Sequence, residues 1–270
     1  MANILTGAAQ YLARFRGQTI TGNQYALTKL GVDRAHCFLK IEEYLILCVP
    51  YQLGFNRSIL LASLSAQETA FFQRYENTTI GLSIALNPNK RPQPVKFFLR
   101  CNLFTIGQMK GRENVGLFVV DHKATPDEMV KMMGKFLESQ ELFKTQYEDY
   151  GKTPIRMTPE VAKLLGYNMY ATITEPNREP KRIQIYNLNS KSLEHLEAAG
   201  TPIRLSGAAV LYQFFFRKFR ISVSGTITSV QSLNQGIVKT TSRLDFSPEL
   251  VEIIDDYWYN SRSNQVKITS

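Results

Sequence analysis

The chain has 270 residues, 44% of them hydrophobic and 11% aromatic, enough apolar material for one large or two ordinary folded domains and too much for a disordered chain. Three scattered cysteines exclude a disulfide framework. The net charge of +9 favours an anionic partner, but it is spread along the chain and forms no basic tail of the kind that grips nucleic acid.

The chain opens with MANILTGAAQYLARFRG, where Ile4, Leu5, Ala8, Tyr11, Leu12 and Phe15 share one helical face. The spacing predicts an amphipathic helix packed on the first domain. Arg14 and Arg16 follow the apolar residues rather than precede them, so the stretch does not read as a signal peptide. Strand-like runs follow at 38–51, 81–86, 95–106 and 114–121, divided by turn-rich stretches such as NPNKRPQP. A helix is then predicted over TPDEMVKMMGKFLE (125–138), with a proline in its first turn and apolar residues at helical spacing. The polar stretch KTQYEDYGKT (144–153) marks a boundary between one domain over 1–143 and a second over 152–270.

The second half repeats this plan. Strands are predicted at 168–174, 182–188, 201–207, 209–217, 220–230 and 236–246, and a helix over SPELVEIIDDYWYN (247–260). The two helices align when one residue after Pro126 is skipped, Met129 meeting Leu250, Val130 meeting Val251, and Met133 meeting Ile254. Several short strands closed by one helix, twice over, predict a mainly β chain of two tandem small barrels, because closure removes the sheet edges.

Little in the sequence points to catalysis. His36, His122 and His195 lack metal-ligand spacing, and Cys37, Cys48 and Cys101 sit among strand residues as reduced core cysteines of a cytoplasmic protein. There is no phosphate-binding glycine loop or nucleophile motif, and no apolar run long enough to span a membrane.

One stretch breaks the pattern. In IQIYNLNSKSLEHL (183–196) a strand ends in small amides and hydroxyls with Leu188 among them. Asn187 and Asn189 either present side chains to a ligand or cap their own backbone in an Asx-turn, with Leu188 in the core. Both readings stay open from the residues alone. The order of elements across 150–260 resembles the PilZ domain family, whose pattern is RxxxR before the first strand and (D/N)xSxxG at the end of the second. KTPIR lies at the first place, with Lys152 and Arg156 at its ends; NLNSKS lies at the second, with Asn187, Asn189 and Ser192 at the patterned positions. The first half is similar to the divergent PilZ-like domain that precedes the nucleotide-binding one in two-domain members.

The resemblance implies a non-enzymatic receptor for cyclic di-GMP, in which the ligand bridges the arm carrying Lys152 and Arg156 to the barrel carrying Asn187 and Asn189. Domain geometry would change, and a protein partner in the motility or envelope machinery would read the change. It implies no cofactor, no nucleic acid and no membrane span. Three positions depart from the pattern: Lys152 loses the planar guanidinium fork, Asn189 replaces serine, and Ser192 puts a side chain where glycine stands. The alternative is a protein-interaction module without nucleotide. Arg178 and Arg182 form a second RxxxR pair, read here as basic tips of a hairpin turn with Pro176 and Pro180. FRKFR (216–220) reads as an outward charged strand edge or as a basic rim assisting an anion.

Overall fold

The computed structural model describes residues 7–198, 205–216, 220–233 and 236–268, with side chains through Ser261. The chain divides into two compact units, Met1–Ser139 and Gln140–Ser270.

The first unit is a closed antiparallel barrel. Its strands are β1 (Thr19–Thr21), β2 (Phe38–Ile41), β3 (Tyr44–Gly54), β4 (Arg57–Ser63), β5 (Thr79–Leu86), β6 (Val95–Gln108) and β7 (Val115–His122). The sheet order β3-β2-β5-β6-β7-β4 closes through β3–β4 pairing, and β1 adds to β3 outside the ring of six. Alternation along each strand sends Leu39, Leu60, Leu82, Leu99, Phe118 and Val120 inward, where all are buried. The barrel carries helices α1 (Ala8–Arg14), α2 (Gln24–Leu30) and α3 (Ala66–Gln73), and α4 (Asp127–Tyr150) supplies Met129, Val130 and Met133 to the same core. On α1, Ala8 and Phe15 are buried but Leu12 is exposed; Ile4 and Leu5 lie outside the described residues. Helix α1 docks on α4, with Arg14 Nη1 donating to Glu138 Oε1 at 2.8 Å.

The predicted helix over 125–138 is therefore shorter than the real one. α4 runs through the polar stretch to Tyr150, because Glu, Gln, Lys and Leu are good helix formers and no glycine or proline intervenes between Gly134 and Gly151.

The second unit is also a six-stranded closed barrel. It comprises β8 (Ile155–Arg156), β9 (Tyr167–Thr174), β10 (Lys181–Leu188), β11 (Ser192–Ala198), β12 (Ala209–Phe216), β13 (Arg220–Leu233) and β14 (Ile237–Leu244), with α5 (Pro159–Leu165) and α6 (Pro248–Ile268). The order β11-β14-β13-β12-β9-β10 closes through β10–β11, and the two-residue β8 pairs with the end of β10. Leu250, Val251 and Ile254 of α6 are buried, as are their first-unit counterparts Met129, Val130 and Met133. Ser247 caps this helix, its Oγ accepting from Leu250 N at 3.2 Å.

The sequence predicts a strand at 201–207. Residues 201–204 lie outside the described residues, and Ser206 and Gly207 form a turn. β11 takes the place in the barrel instead. Of FRKFR, residues 217–219 lie outside the described residues, while Phe216 ends β12 and Arg220 begins β13. The interior of this barrel is partly polar: His195 Nε2 lies 2.9 Å from Glu197 Oε1, and the Tyr212 and Ser242 hydroxyls pair at 2.6 Å, all four side chains buried.

Candidate functional site

The stretch that breaks the strand pattern sits where β10, β8 and the end of α4 meet, within the second unit. β10 carries a bulge at Tyr186: Ile185 pairs with His195 and Asn187 with Glu194, leaving Tyr186 the extra residue. Ile185 and Leu188 both point into the core, and Tyr186 and Asn187 are left side by side and half-buried. A bulge commonly re-aims side chains in this way beside functional sites.

β8 brings Arg156 directly opposite Asn187 and Ile155 opposite Leu188. The Arg156 guanidinium carbon lies 3.2 Å from the Tyr186 ring centroid, a cation–π contact that holds the exposed head over the ring. Asn187 Nδ2 donates to Glu194 Oε2 at 2.7 Å, and Lys239 Nζ donates to Glu194 Oε1 at 3.4 Å. Register places Arg156, Asn187, Glu194 and Thr241 in one row across β8, β10, β11 and β14. Ser192 and Arg243 start the adjacent row, about 7 Å along the strands. This outer face thus offers fixed cations, an amide and one carboxylate, a set of donors and acceptors suited to a phosphorylated planar ligand.

The turn after β10 plays a different part. Asn189 is only 6% exposed. Its Oδ1 accepts from Lys191 N, Ser192 N and Ser192 Oγ at 2.8, 2.6 and 3.0 Å, and its Nδ2 donates to Gly151 O at 3.1 Å. Ser190 Oγ donates to Tyr147 O at 2.6 Å, and Lys191 pairs with Glu148. These bonds fasten the turn to the last turn of α4. A Cβ on Gly151 would meet the Lys191 side chain at 2.5 Å, so a larger residue there would have to displace the lysine stem. Of the two roles open for the asparagines, Asn189 takes the Asx-turn, with Ser192 closed onto it, while Asn187 faces out.

Lys152 follows Gly151 directly and is tied to the end of α4. Its ammonium pairs with Asp149 at 2.7 Å, its side chain is 73% exposed, and that bond holds it above the usual lysine range. Arg178 pairs with Glu175 at 3.2 Å in the β9–β10 turn, and the Arg182 guanidinium lies 5.3 Å from the Tyr170 ring centroid. Both lie at the opposite end of β10 from Asn187. The structure therefore joins Arg156 to Asn187, joins Asn189 to Ser192, pairs Lys152 with Asp149 just after the Gly151 carbonyl that Asn189 holds, and sets Arg178 and Arg182 at the other end of β10. Tyr186, Glu194 and Lys239 join the site without having been singled out in the sequence. Tyr186 reads there as an ordinary alternating strand residue, and only the bulge reveals it. Among the described residues, no group of three or more His, Cys, Asp and Glu side chains could hold a metal ion.

Two closed six-stranded barrels, each sealed by a proline-led helix, and a strand-end Asn set beside an arm arginine define a two-domain PilZ-like protein. Residues 7–140 match the family model of the PilZN3 domain. Among solved structures, the chain is similar to the Borreliella burgdorferi PlzA protein in complex with c-di-GMP, at 17% identity and a TM-score of 0.47, covering 93% of this chain and 97% of that one. It is also similar to YcgR in complex with c-di-GMP from Escherichia coli, at 11% identity and a TM-score of 0.33, covering 95% and 98%. The Bacillus subtilis inhibitor of motility MotI/DgrA matches at 12% identity and a TM-score of 0.31, covering 88% and 99%. No curated protein matches the chain. No helix of the described residues is long and apolar enough to cross a membrane.

Proposed function

We propose that the second barrel is a receptor for cyclic di-GMP, bound on its outer face at the β8–β10 edge. The observation that carries the reading is the backbone pairing that sets Arg156 opposite Asn187. These residues are far apart in sequence, and they are the two positions at which the chain keeps the PilZ ligand pattern intact. Arg156 stacks through its plane and forks to a phosphate; Asn187 meets a base edge. Lys239 and Arg243 add charge for the second phosphate. The Asn189–Ser192 turn contributes shape by holding β10 and β11 to the end of α4. α4 begins in the first unit and ends against this turn, so ligand binding acts through α4 on the disposition of the two units, and a protein partner of the motility or envelope machinery reads the result. The protein acts as an effector and not as an enzyme.

The test is calorimetric titration with cyclic di-GMP at low and at physiological salt. Losing one charge-assisted hydrogen bond costs about 1.5–3 kcal/mol, so Arg156→Ala weakens binding by roughly one to two powers of ten. Arg178→Ala and Arg182→Ala change it little. An unchanged affinity in Arg156→Ala puts the site elsewhere.

A second reading, a protein-binding module without nucleotide, has its own observation. On the outer face of the first barrel Leu45, Leu47 and Phe98 are 65%, 66% and 65% exposed, and the pairing of Phe38 with Leu47 and Ser83, and of Ser83 with Phe98, sets Leu47 and Phe98 in one row across β3, β2, β5 and β6. Exposed apolar surface of this kind marks contact sites. Failure of wild type to bind cyclic di-GMP favours this reading.

A further inference from the structure

Glu194 is out of place on a face that receives a dianion. It stands in the same row as Arg156 and Asn187, its side chain a quarter exposed, and its two carboxylate oxygens accept separately from Asn187 Nδ2 at 2.7 Å and Lys239 Nζ at 3.4 Å. A bare carboxylate there would repel phosphate. It is favourable only where the ligand brings donors to it. We infer that Glu194 reads the Watson–Crick edge of one guanine and sets the base specificity of the receptor site proposed above, on which this inference rests. Guanine offers N1–H and the exocyclic amine side by side, a matched pair of donors for the two oxygens of a carboxylate. Adenine presents a ring-nitrogen lone pair at the corresponding position, which a carboxylate rejects. Binding exchanges donors at Glu194: the guanine edge replaces the Asn187 amide and the Lys239 ammonium. Asn187 turns to the base, and Lys239 meets a phosphate. No buried acceptor is left empty in either state, so the exchange costs little.

The experiment titrates wild type, Glu194→Gln and Glu194→Ala with cyclic di-GMP and with cyclic di-AMP, after thermal melting has shown the variants to be folded. Wild type is expected to prefer cyclic di-GMP. Both variants should lose cyclic di-GMP affinity by on the order of ten- to a hundredfold. Neither should lose cyclic di-AMP affinity, because the removed charge only repelled that ligand. Tightening of both ligands in the variants would show that the carboxylate merely repels, and unchanged affinities would show that it plays no part. Either result overturns the role of Glu194 while leaving the receptor reading intact. Failure of wild type to bind either ligand removes the receptor reading and this inference with it.

Discussion

Asn187 and Asn189 are the same residue type two positions apart, and the fold uses them differently. Asn189 closes four hydrogen bonds within a buried turn, and Asn187 closes one to a carboxylate that is a quarter exposed. Removing a side chain that leaves buried donors unmet costs about 1–3 kcal/mol for each group stranded. Asn189→Ala should therefore destabilise the second barrel by at least that much in urea denaturation, and Asn187→Ala by less than about 1 kcal/mol. Equal losses would make Asn187 structural too. His122 should make the first barrel's stability depend on pH. Its Nδ1 faces Phe55 O at 3.2 Å and Thr125 Oγ1 at 3.1 Å, while Nε2 is buried with no partner among the described residues. Burial lowers its pKa from the usual 6.5, against a smaller opposing effect of the Phe55 carbonyl. The unfolded chain thus binds a proton more readily than the folded one. The contribution is intact above about pH 6.5 and drains away as pH falls below that, through the depressed folded value. Asp121 stays ionised in this window, because its hydrogen bond from Arg57 holds it below the usual carboxylate range. Urea midpoints measured from pH 8 to 5 should fall for wild type and fall less for His122→Asn, whose amide can still donate to Phe55 O; parallel curves would assign the acid loss to other groups.

At the scale of elements, α4 is seated by a missing side chain. Gly134 is buried, and a Cβ there would lie 2.3 Å from Tyr11 Cγ of α1. Alanine gains about 1 kcal/mol over glycine in a helix interior, whereas overpacking costs about 1–3 kcal/mol. Gly134→Ala should therefore lower stability on balance, and adding Tyr11→Ala should shrink that loss by removing the ring, although the Tyr11 Cβ at 2.7 Å stays in contact, a coupling that a double-mutant cycle reads directly. Other elements show what the sequence conceals. The long strands and both proline-led helices are legible because alternation or helical spacing runs for many residues. α2, α3 and α5 have seven or eight residues each, too few for a periodic signal. Their ends are nevertheless written plainly: Asn23 and Gly31 bracket α2, Ser65 and Glu68 form a capping box on α3, and Thr158, Pro159 and Gly166 frame α5. β11 is concealed for another reason. Its inward residues include His195 and Glu197, so the apolar alternation that signals a strand is broken by the barrel's own polar interior. The site shares this limit. Arg156 and Asn187 are found through their motif, but Glu194 lies on β11 and Tyr186 on a bulge that periodicity cannot show.

Across the whole molecule the chain carries two natural reporters, one in each core. Cys37, Cys48 and Cys101 are all buried in the first barrel, and burial pushes the Cys48 and Cys101 thiols up to about 12. Such thiols are protonated and unreactive until the barrel opens. Trp258, the only tryptophan, lies on α6 against the core of the second barrel. In urea, thiol labelling therefore follows the first unit and tryptophan fluorescence follows the second. The two cores share no residue, so the two probes should give distinct midpoints, and coincidence at every denaturant concentration would show one cooperative unit. The same pair of probes locates the ligand. Every side chain assigned to the cyclic di-GMP site belongs to Gln140–Ser270. A ligand that binds only the folded state adds about 2.7 kcal/mol at a hundred times its Kd. Cyclic di-GMP should thus raise the fluorescence midpoint and leave the thiol midpoint in place. If the two midpoints are distinct without ligand and both then move by the same free energy, the first barrel takes part in binding, and a site confined to the outer face of the second barrel is ruled out.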